Sequence, residues 1–304
     1  MKIYLNKINE SWIIDRLKQE WIRNNKEITS NNIFSADYVW IIAPWNWRNL
    51  TRHFLKNKKV LCSIYHLDEK DLVPDALDEF YKRDKYVDEY HVISKKVIPV
   101  LSKLTPKKIT FAPFWVNKDI FFNISDKSFI RNEFKIKEDS FLVGSFQRDS
   151  EGKDPSLPKL IKGPDQFIEV VQYLNQIHKN LTVILTGKRR DYVISQLKKH
   201  SINYKYFEMV NSVNLNKLYN MLDLYIVASR LEGGPQSIVE CAISKTPIIS
   251  TNVGIADIIL SEESIFDMNN YSQAKPNIDV AYRNVSKLVI PEGYEEFKNI
   301  FKGI

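Results

Sequence analysis

Short apolar runs alternate along this chain with longer stretches whose apolar positions recur three and four residues apart. Residues 2–6, 38–43, 59–65, 90–94 and 109–114 read as strands, and residues 11–24, 50–55, 74–86 and 95–104 between them carry helical periodicity. The second half repeats the rhythm. Strand-like runs fall at 141–145, 181–186, 204–210, 224–228 and 247–251, with helical patterns at 165–178, 191–200, 214–222, 237–244 and 256–260. Strands alternating with helices imply parallel sheets covered on both faces, since a parallel crossover needs a long connection. The expected fold is therefore α/β in two halves, with a cleft between them and ligands at the carboxyl ends of the strands. Residues 117–137, with a helical stretch at 128–134, hold the boundary, which divides the chain into 1–130 and 131–304. The terminal helix is expected to pack back on the first domain.

Composition narrows this picture. A length of 304 residues suits two domains, and 44% hydrophobic residues suffice for two cores. Cys62 and Cys241 are the only cysteines, so no disulfide framework is implied and a reducing cytoplasm is the expected setting. Residues 1–7 are too short and too charged for a signal peptide, and no run approaches the ~18 apolar residues of a membrane span. The net charge of +7 is uneven. Residues 1–135 hold 24 Lys/Arg against 17 Asp/Glu, and the remainder 20 against 20. The excess thus sits on the first half, where a basic face suits an anionic membrane surface or an acidic acceptor. No zinc-finger, basic-zipper or RNA-binding signature is present, so nucleic acid is not an expected partner.

The chemistry concentrates in residues 229–254. Glu232 and Glu240 stand eight apart around Gly233-Gly234-Pro235, between an apolar run at 224–228 and a second at 247–251. Eight residues at ~1.5 Å rise is about two helical turns, so both carboxylates can lie along one side of the helix, the first at the strand exit and the second one or two turns in. The amino terminus of that helix presents free N–H groups and partial positive charge to any anion. An anion cradle flanked by two hydroxyl acceptors fits a nucleoside-diphosphate sugar. A surface Glu pair would not need the Gly-Gly-Pro opening.

These residues carry a resemblance. The stretch from about Phe141 to Gly254 resembles the nucleotide-sugar-binding half of retaining glycosyltransferases of family 4, which have a Glu-x7-Glu motif and the GT-B fold of two facing Rossmann-like domains with parallel sheets and an interdomain cleft. Residues 218–230 resemble the family's helix and strand leading into that motif. Val143-Gly144-Ser145-Phe146-Gln147-Arg148-Asp149 and Lys159-Leu160-Ile161-Lys162-Gly163 resemble its first strand and Lys-Gly element, and residues 114–121 its interdomain segment. The resemblance implies that Arg148 and Lys162 hold the donor diphosphate. Lys159 is an alternative to Lys162, because residues 149–161 form an unusually long connection read as a loop beside the site. Glu240 would hold the donor ribose, and Glu232 would stand as a catalytic group beside the transferred sugar. Gly233 and Gly234 would let the backbone approach, while Gln236, Ser237 and Ile238 would supply N–H groups to sugar and phosphates. Met209, at the end of a strand, is either a base contact or a core residue. Cys241 reads as a small buried residue.

The first half offers less. His66 lies just past a strand, where similar enzymes place a catalytic His near the acceptor or donor sugar; a structural role is the alternative. Pro44-Trp45-Asn46-Trp47 either stacks on a sugar or caps the core. The loop at residues 6–10 lacks the glycines common in such enzymes. The resemblance implies transfer of a sugar, with retention, from a UDP- or GDP-linked donor to a hydroxyl of a glycan or lipid-linked acceptor in polysaccharide or glycoconjugate synthesis. No cofactor or metal is expected, and no His/Cys ligand cluster appears in the sequence. The enzyme would be cytoplasmic, with peripheral attachment to the cytosolic face of the membrane through its basic half. Alternatives are a non-catalytic GT-B nucleotide-sugar-binding subunit, or a GT-B epimerase or phosphorylase. Dinucleotide oxidoreductases and phosphate-loop nucleotidases are excluded by the missing glycine fingerprints.

Overall fold

The computed structural model describes residues 1–7, 13–151, 154 and 156–304. The chain forms two compact units, Met1–Trp115 with Ile290–Ile304, and Val116–Val289. The break after Trp115 comes earlier in the chain than residue 130. A bridge between Val116 and Val289, with the Val116 N–H donating to Leu288 O at 2.9 Å, brings the two ends of the second unit together.

In the first unit, β1 (Ile3–Leu5), β2 (Tyr38–Ile41), β3 (Lys59–Ile64), β4 (Glu89–Val92) and β5 (Lys108–Phe111) form a parallel sheet in sequential order. Helices α1 (Ile13–Asn24), α2 (Arg52–Asn57), α3 (Pro74–Asp84) and α4 (Ile98–Leu104) intervene. Ser11 and Trp12, assigned to the first helix from periodicity, lie outside the described residues. Strand neighbours alternate between two cores. Val39, Ile41, Val60 and Cys62 face one cluster, while Trp40, Ile42 and Leu61 face the other, which is why these strands read as unbroken apolar runs. The second cluster is aromatic: Trp21, Trp40, Phe114 and Trp115 meet Tyr294, Phe297 and Phe301, the last two on the C-terminal helix Glu295–Gly303. That helix packs within the first unit.

A buried polar chain runs through this core. Trp40 Nε1 donates to Ser63 Oγ at 2.9 Å, Ser63 stands 2.8 Å from His91 Nδ1, and His91 Nε2 stands 2.7 Å from Ala112 O. Only Nε2–H can satisfy the carbonyl, so Nδ1 accepts from Ser63 and every member is paired. Burial holds the His91 imidazole at about 4, keeping it neutral. Trp47 is buried as a core cap and donates to Glu79, whereas Trp45 remains half exposed. The predicted helix at 50–55 begins two residues later, because Pro44–Asn49 form a 3₁₀ turn first.

The second unit opens with α5 (Lys127–Glu133), then β6 (Phe141–Ser145), α6 (Pro164–Ile177), β7 (Leu181–Thr186), α7 (Asp191–Lys199) and β8 (Asn203–Phe207). It continues with α8 (Ser212–Met221), β9 (Leu224–Val227), α9 (Gln236–Ile243), β10 (Ile248–Thr251), α10 (Ala256–Ile259), β11 (Ile265–Phe266) and α11 (Ile278–Val285). Among the described residues the parallel strands lie in the order β11-β10-β9-β6-β7-β8. The chain therefore enters at β6 in the middle, winds outward to β8, and returns to β9 on the other side of β6. Such an order leaves a crevice at the carboxyl ends of β6 and β9, where ligands of open α/β sheets bind. The sequential order of the first sheet has no equivalent point.

Candidate functional site

Two chain segments fill that crevice. After β9 the chain runs Ser229-Arg230-Leu231-Glu232, and after β6 it runs Phe146-Gln147-Arg148 before returning as Lys159–Gly163 ahead of α6. The Arg230 and Leu231 N–H groups donate to Ile161 O at 2.9 and 3.2 Å. The Arg230 guanidinium adds bonds to Leu160 O at 2.8 Å and to both oxygens of Asp165 at 2.8 and 2.6 Å. Gln147 Nε2 donates to Lys162 O at 2.8 Å. The segments thus form one unit, and they bring Lys162 Nζ to 2.5 Å from Glu232 Oε1, with the pair largely withdrawn from solvent. Ser229 Oγ stands 3.1 Å from the same carboxylate oxygen, and Thr251 Oγ1 fixes Ser229 by donating to its carbonyl at 2.6 Å.

Glycine makes this approach possible at two positions. Gly163 has φ of 61°, and a Cβ there would lie 1.7 Å from Ala228 O. Gly254 has φ of 58°, and a Cβ there would come within 2.6 Å of Pro235 Cδ and 3.0 Å of Gly233 O. Gly254 thus lies against the Gly233-Gly234-Pro235 segment, and neither Gly233 nor Gly234 is left-handed.

Glu240 lies on α9 with its side chain buried, accepting a 2.7 Å bond from Tyr219 OH. Burial, and then the Glu240 carboxylate, push the Tyr219 hydroxyl well above its ordinary value, so it stays protonated and donates. At the start of α9, Pro235 provides no side-chain cap, and Ile238 N–H donates to Pro235 O at 3.0 Å. The Gln236 and Ser237 N–H groups make no bond among the described residues and remain as donors, while Gln236 Oε1 is buried without a partner. Cys241 is fully buried, and burial pushes its thiol well up, which suits packing and not attack.

Arg148 is half-buried, and its Nε donates to Ser150 O at 3.0 Å. Lys159 lies close by, its backbone N–H donating to Asp149 O at 2.7 Å. Asp149 itself is buried against Arg190, with Oδ2 2.7 Å from Nε and both side chains almost fully enclosed. Burial raises the Asp149 carboxyl and Arg190 opposes the rise. Arg190 also donates to Ser145 O and Thr186 O, the last residues of β6 and β7. Removing one partner of such a pair costs about 3–5 kcal/mol. The sequence reading missed this pair; adjacent Arg189-Arg190 after a strand was its only signal.

The strand predicted at 204–210 ends at Phe207, where Glu208 O accepts from Gly187 N at 2.9 Å. Met209 is consequently 62% exposed, which overturns its reading as a core residue. His66 is exposed just past β3, in the first unit. Among the described residues no group of three or more His, Cys, Asp and Glu could hold a metal ion, and no helix is long and apolar enough to cross a membrane.

Comparison with solved structures returns the same architecture over the whole chain. HepE from Anabaena in complex with UDP superposes with a TM-score of 0.75 at 12% identity, covering 100% of both chains. Sucrose-phosphate synthase from Thermosynechococcus elongatus gives 0.68 at 14% identity, over 98% of this chain and 82% of that one. The pneumococcal O-GlcNAc transferase GtfA in complex with UDP and GlcNAc gives 0.62 at 14% identity, over 96% and 59%. Likeness at this identity establishes the fold, a two-domain Rossmann-like arrangement of the GT-B type. Sequence comparison with curated proteins finds no match. The family model of glycosyl transferases group 1 matches residues 126–292, more than half of the chain. The chain belongs to the glycosyl transferases group 1 family.

Proposed function

We propose that this protein is a retaining glycosyltransferase of the family 4 type, moving a sugar from a nucleoside-diphosphate sugar to a hydroxyl of a glycan or lipid-linked acceptor. The observation that carries the reading is the convergence of Lys162, Glu232 and the open start of α9 on the crevice between β6 and β9. In this reading Glu240 accepts bonds from the donor ribose, its other side held by Tyr219. Arg148 and Lys162 stabilise the charge that grows on the departing diphosphate, helped by the Gln236 and Ser237 N–H groups. Because basic side chains and a helix terminus meet that charge, we propose that no metal is required. Glu232 stands beside the transferred sugar, where its carboxylate orients hydroxyls and favours positive charge at the anomeric carbon. The acceptor attacks the face the leaving group departs from, and a phosphate oxygen takes the acceptor proton, so no side-chain nucleophile is needed. Met209 is exposed where a base can cover it, and the structural neighbours bound to UDP favour a uridine donor.

For the first unit, His66 is our proposal for the acceptor side, and the basic surface is proposed to hold the enzyme on the cytosolic face of an anionic membrane. Co-sedimentation with anionic vesicles that weakens with salt checks the latter. The transfer reading is tested by incubating the protein with UDP- and GDP-sugars and candidate acceptors, and reading the anomeric proton coupling of the product. Donor and product sharing one anomeric configuration is expected. An inverted product, or donor consumption without need for an acceptor hydroxyl, would contradict it.

A further inference from the structure

The described ends of the connection between Asp149 and Lys159 are tied together by several bonds. Its base carries the Ser150–Pro158 bridge, the Glu151 N–H to Leu157 O bond at 3.0 Å and the Lys159 N–H to Asp149 O bond at 2.7 Å. Behind that base lies the enclosed Arg190–Asp149 pair, joined by Ser150 Oγ at 3.0 Å from Asp149 Oδ1 and by the Asp149 N–H to Arg189 O bond at 3.1 Å. Arg148 and Lys159, attached directly to this knot, have no ion-pair partner among the described residues. Lys162, by contrast, is committed to Glu232. We propose that Lys159 is a third diphosphate-binding cation, and that the buried Arg190–Asp149 pair is the positioning element that holds it beside Arg148.

The like charges of Arg148 and Lys159 repel, and the bonds at the base hold their two chain segments together. Burial and then the neighbouring positive charges of Arg148 and Lys162 hold the Lys159 ammonium below its ordinary value, with Glu151 and Glu232 offsetting part of this. An incoming diphosphate relieves the repulsion. Lys162 keeps its place at the diphosphate while also holding Glu232, and Lys159 adds a further charge to Lys162 and Arg148. The inference rests on the donor-site reading above.

Calorimetric titration of UDP, GDP, ADP, CDP and TDP, each beside its own nucleoside, tests it on the wild-type protein, Lys159→Gln and Arg190→Lys. Whichever diphosphate binds the wild type is expected to bind Lys159→Gln about tenfold more weakly, with its nucleoside unaffected and a shallower dependence on salt. Arg190→Lys keeps the buried charge but loses the fork that reaches Asp149, Ser145 and Thr186 together. It is expected to show the same diphosphate-selective loss. Unchanged diphosphate affinity in Lys159→Gln, or an equal loss for the nucleoside, would overturn the role of Lys159. An Arg190→Lys protein that melts earlier but keeps the diphosphate-to-nucleoside ratio would make the pair a stabilising element only. A wild-type protein that binds none of the five diphosphates would instead defeat the donor-site reading itself, and this inference with it.

Discussion

Glu232→Ala is expected to lower sugar transfer by about two to three orders of magnitude, the scale on which a single preorganised electrostatic group acts at a developing charge. Nucleotide affinity should follow a different course. Lys162 lies 2.5 Å from the Glu232 carboxylate, and deleting the carboxylate frees that ammonium for phosphate. Binding of the nucleoside diphosphate should therefore hold or tighten while turnover collapses, which is the signature of a group acting on the transition state and not on the ground state. Ser229, fixed by Thr251, retains the geometry of the loop, so the variant should fold. Turnover within threefold of wild type would remove Glu232 from the reacting centre. Parallel loss of nucleotide affinity and rate would make it a general support of the loop.

Gly163→Ala carries the largest expected effect on stability. The left-handed backbone costs an L-residue about 1–2 kcal/mol. The added methyl would also overlap a backbone oxygen, Ala228 O at 1.7 Å, so the loop must move and not merely repack. A total loss of about 3 kcal/mol or more corresponds to a fall of roughly 6–12 °C in Tm for a unit of this size. Gly187→Ala serves as a control, since φ is 91° there but the only near atom is Phe146 O at 3.9 Å. A smaller drop is expected for it. Because the displaced loop carries Lys162 and faces Glu232, Gly163→Ala should lose transfer activity even well below its melting temperature. Equal melting points for the two variants would show that steric overlap at Ala228 contributes nothing.

Much of this architecture was legible because the strands are buried on both faces. Runs such as Phe141–Ser145 and Leu181–Thr186 are mostly apolar and match the strands to the residue. The pair Glu232 and Glu240 stood out because two carboxylates eight residues apart bracket a Gly-Gly-Pro turn between two apolar runs. Three features were hidden for physical reasons. Strand order depends on long-range pairing that no local pattern records, so the crevice between β6 and β9 could be expected only as a strand end somewhere. β11 has two residues, too few to show alternation. The Arg190–Asp149 pair joins positions far apart in sequence, and each alone looks like a solvated charge. Sequence left Met209 open between a base contact and a core residue, because its apolar character is visible there while its exposure, just past the end of β8, is not. Two further glycines, Gly163 and Gly254, turn out to be left-handed and to lie where a side chain would meet neighbouring backbone or the Pro235 ring, a demand that sequence alone does not show.

The central claim is that the crevice between β6 and β9 is a nucleoside-diphosphate site. Thermal unfolding in the presence of UDP, GDP, ADP, CDP and TDP, with wild-type protein and Glu240→Ala, tests it most directly. A nucleotide at ~100-fold its dissociation constant adds about 2.7 kcal/mol to the folded state. The account predicts a clear rise in Tm with one of the five, lost in Glu240→Ala because the buried carboxylate that meets the ribose is gone. A rise that survives Glu240→Ala, or no rise with any nucleotide, would contradict it.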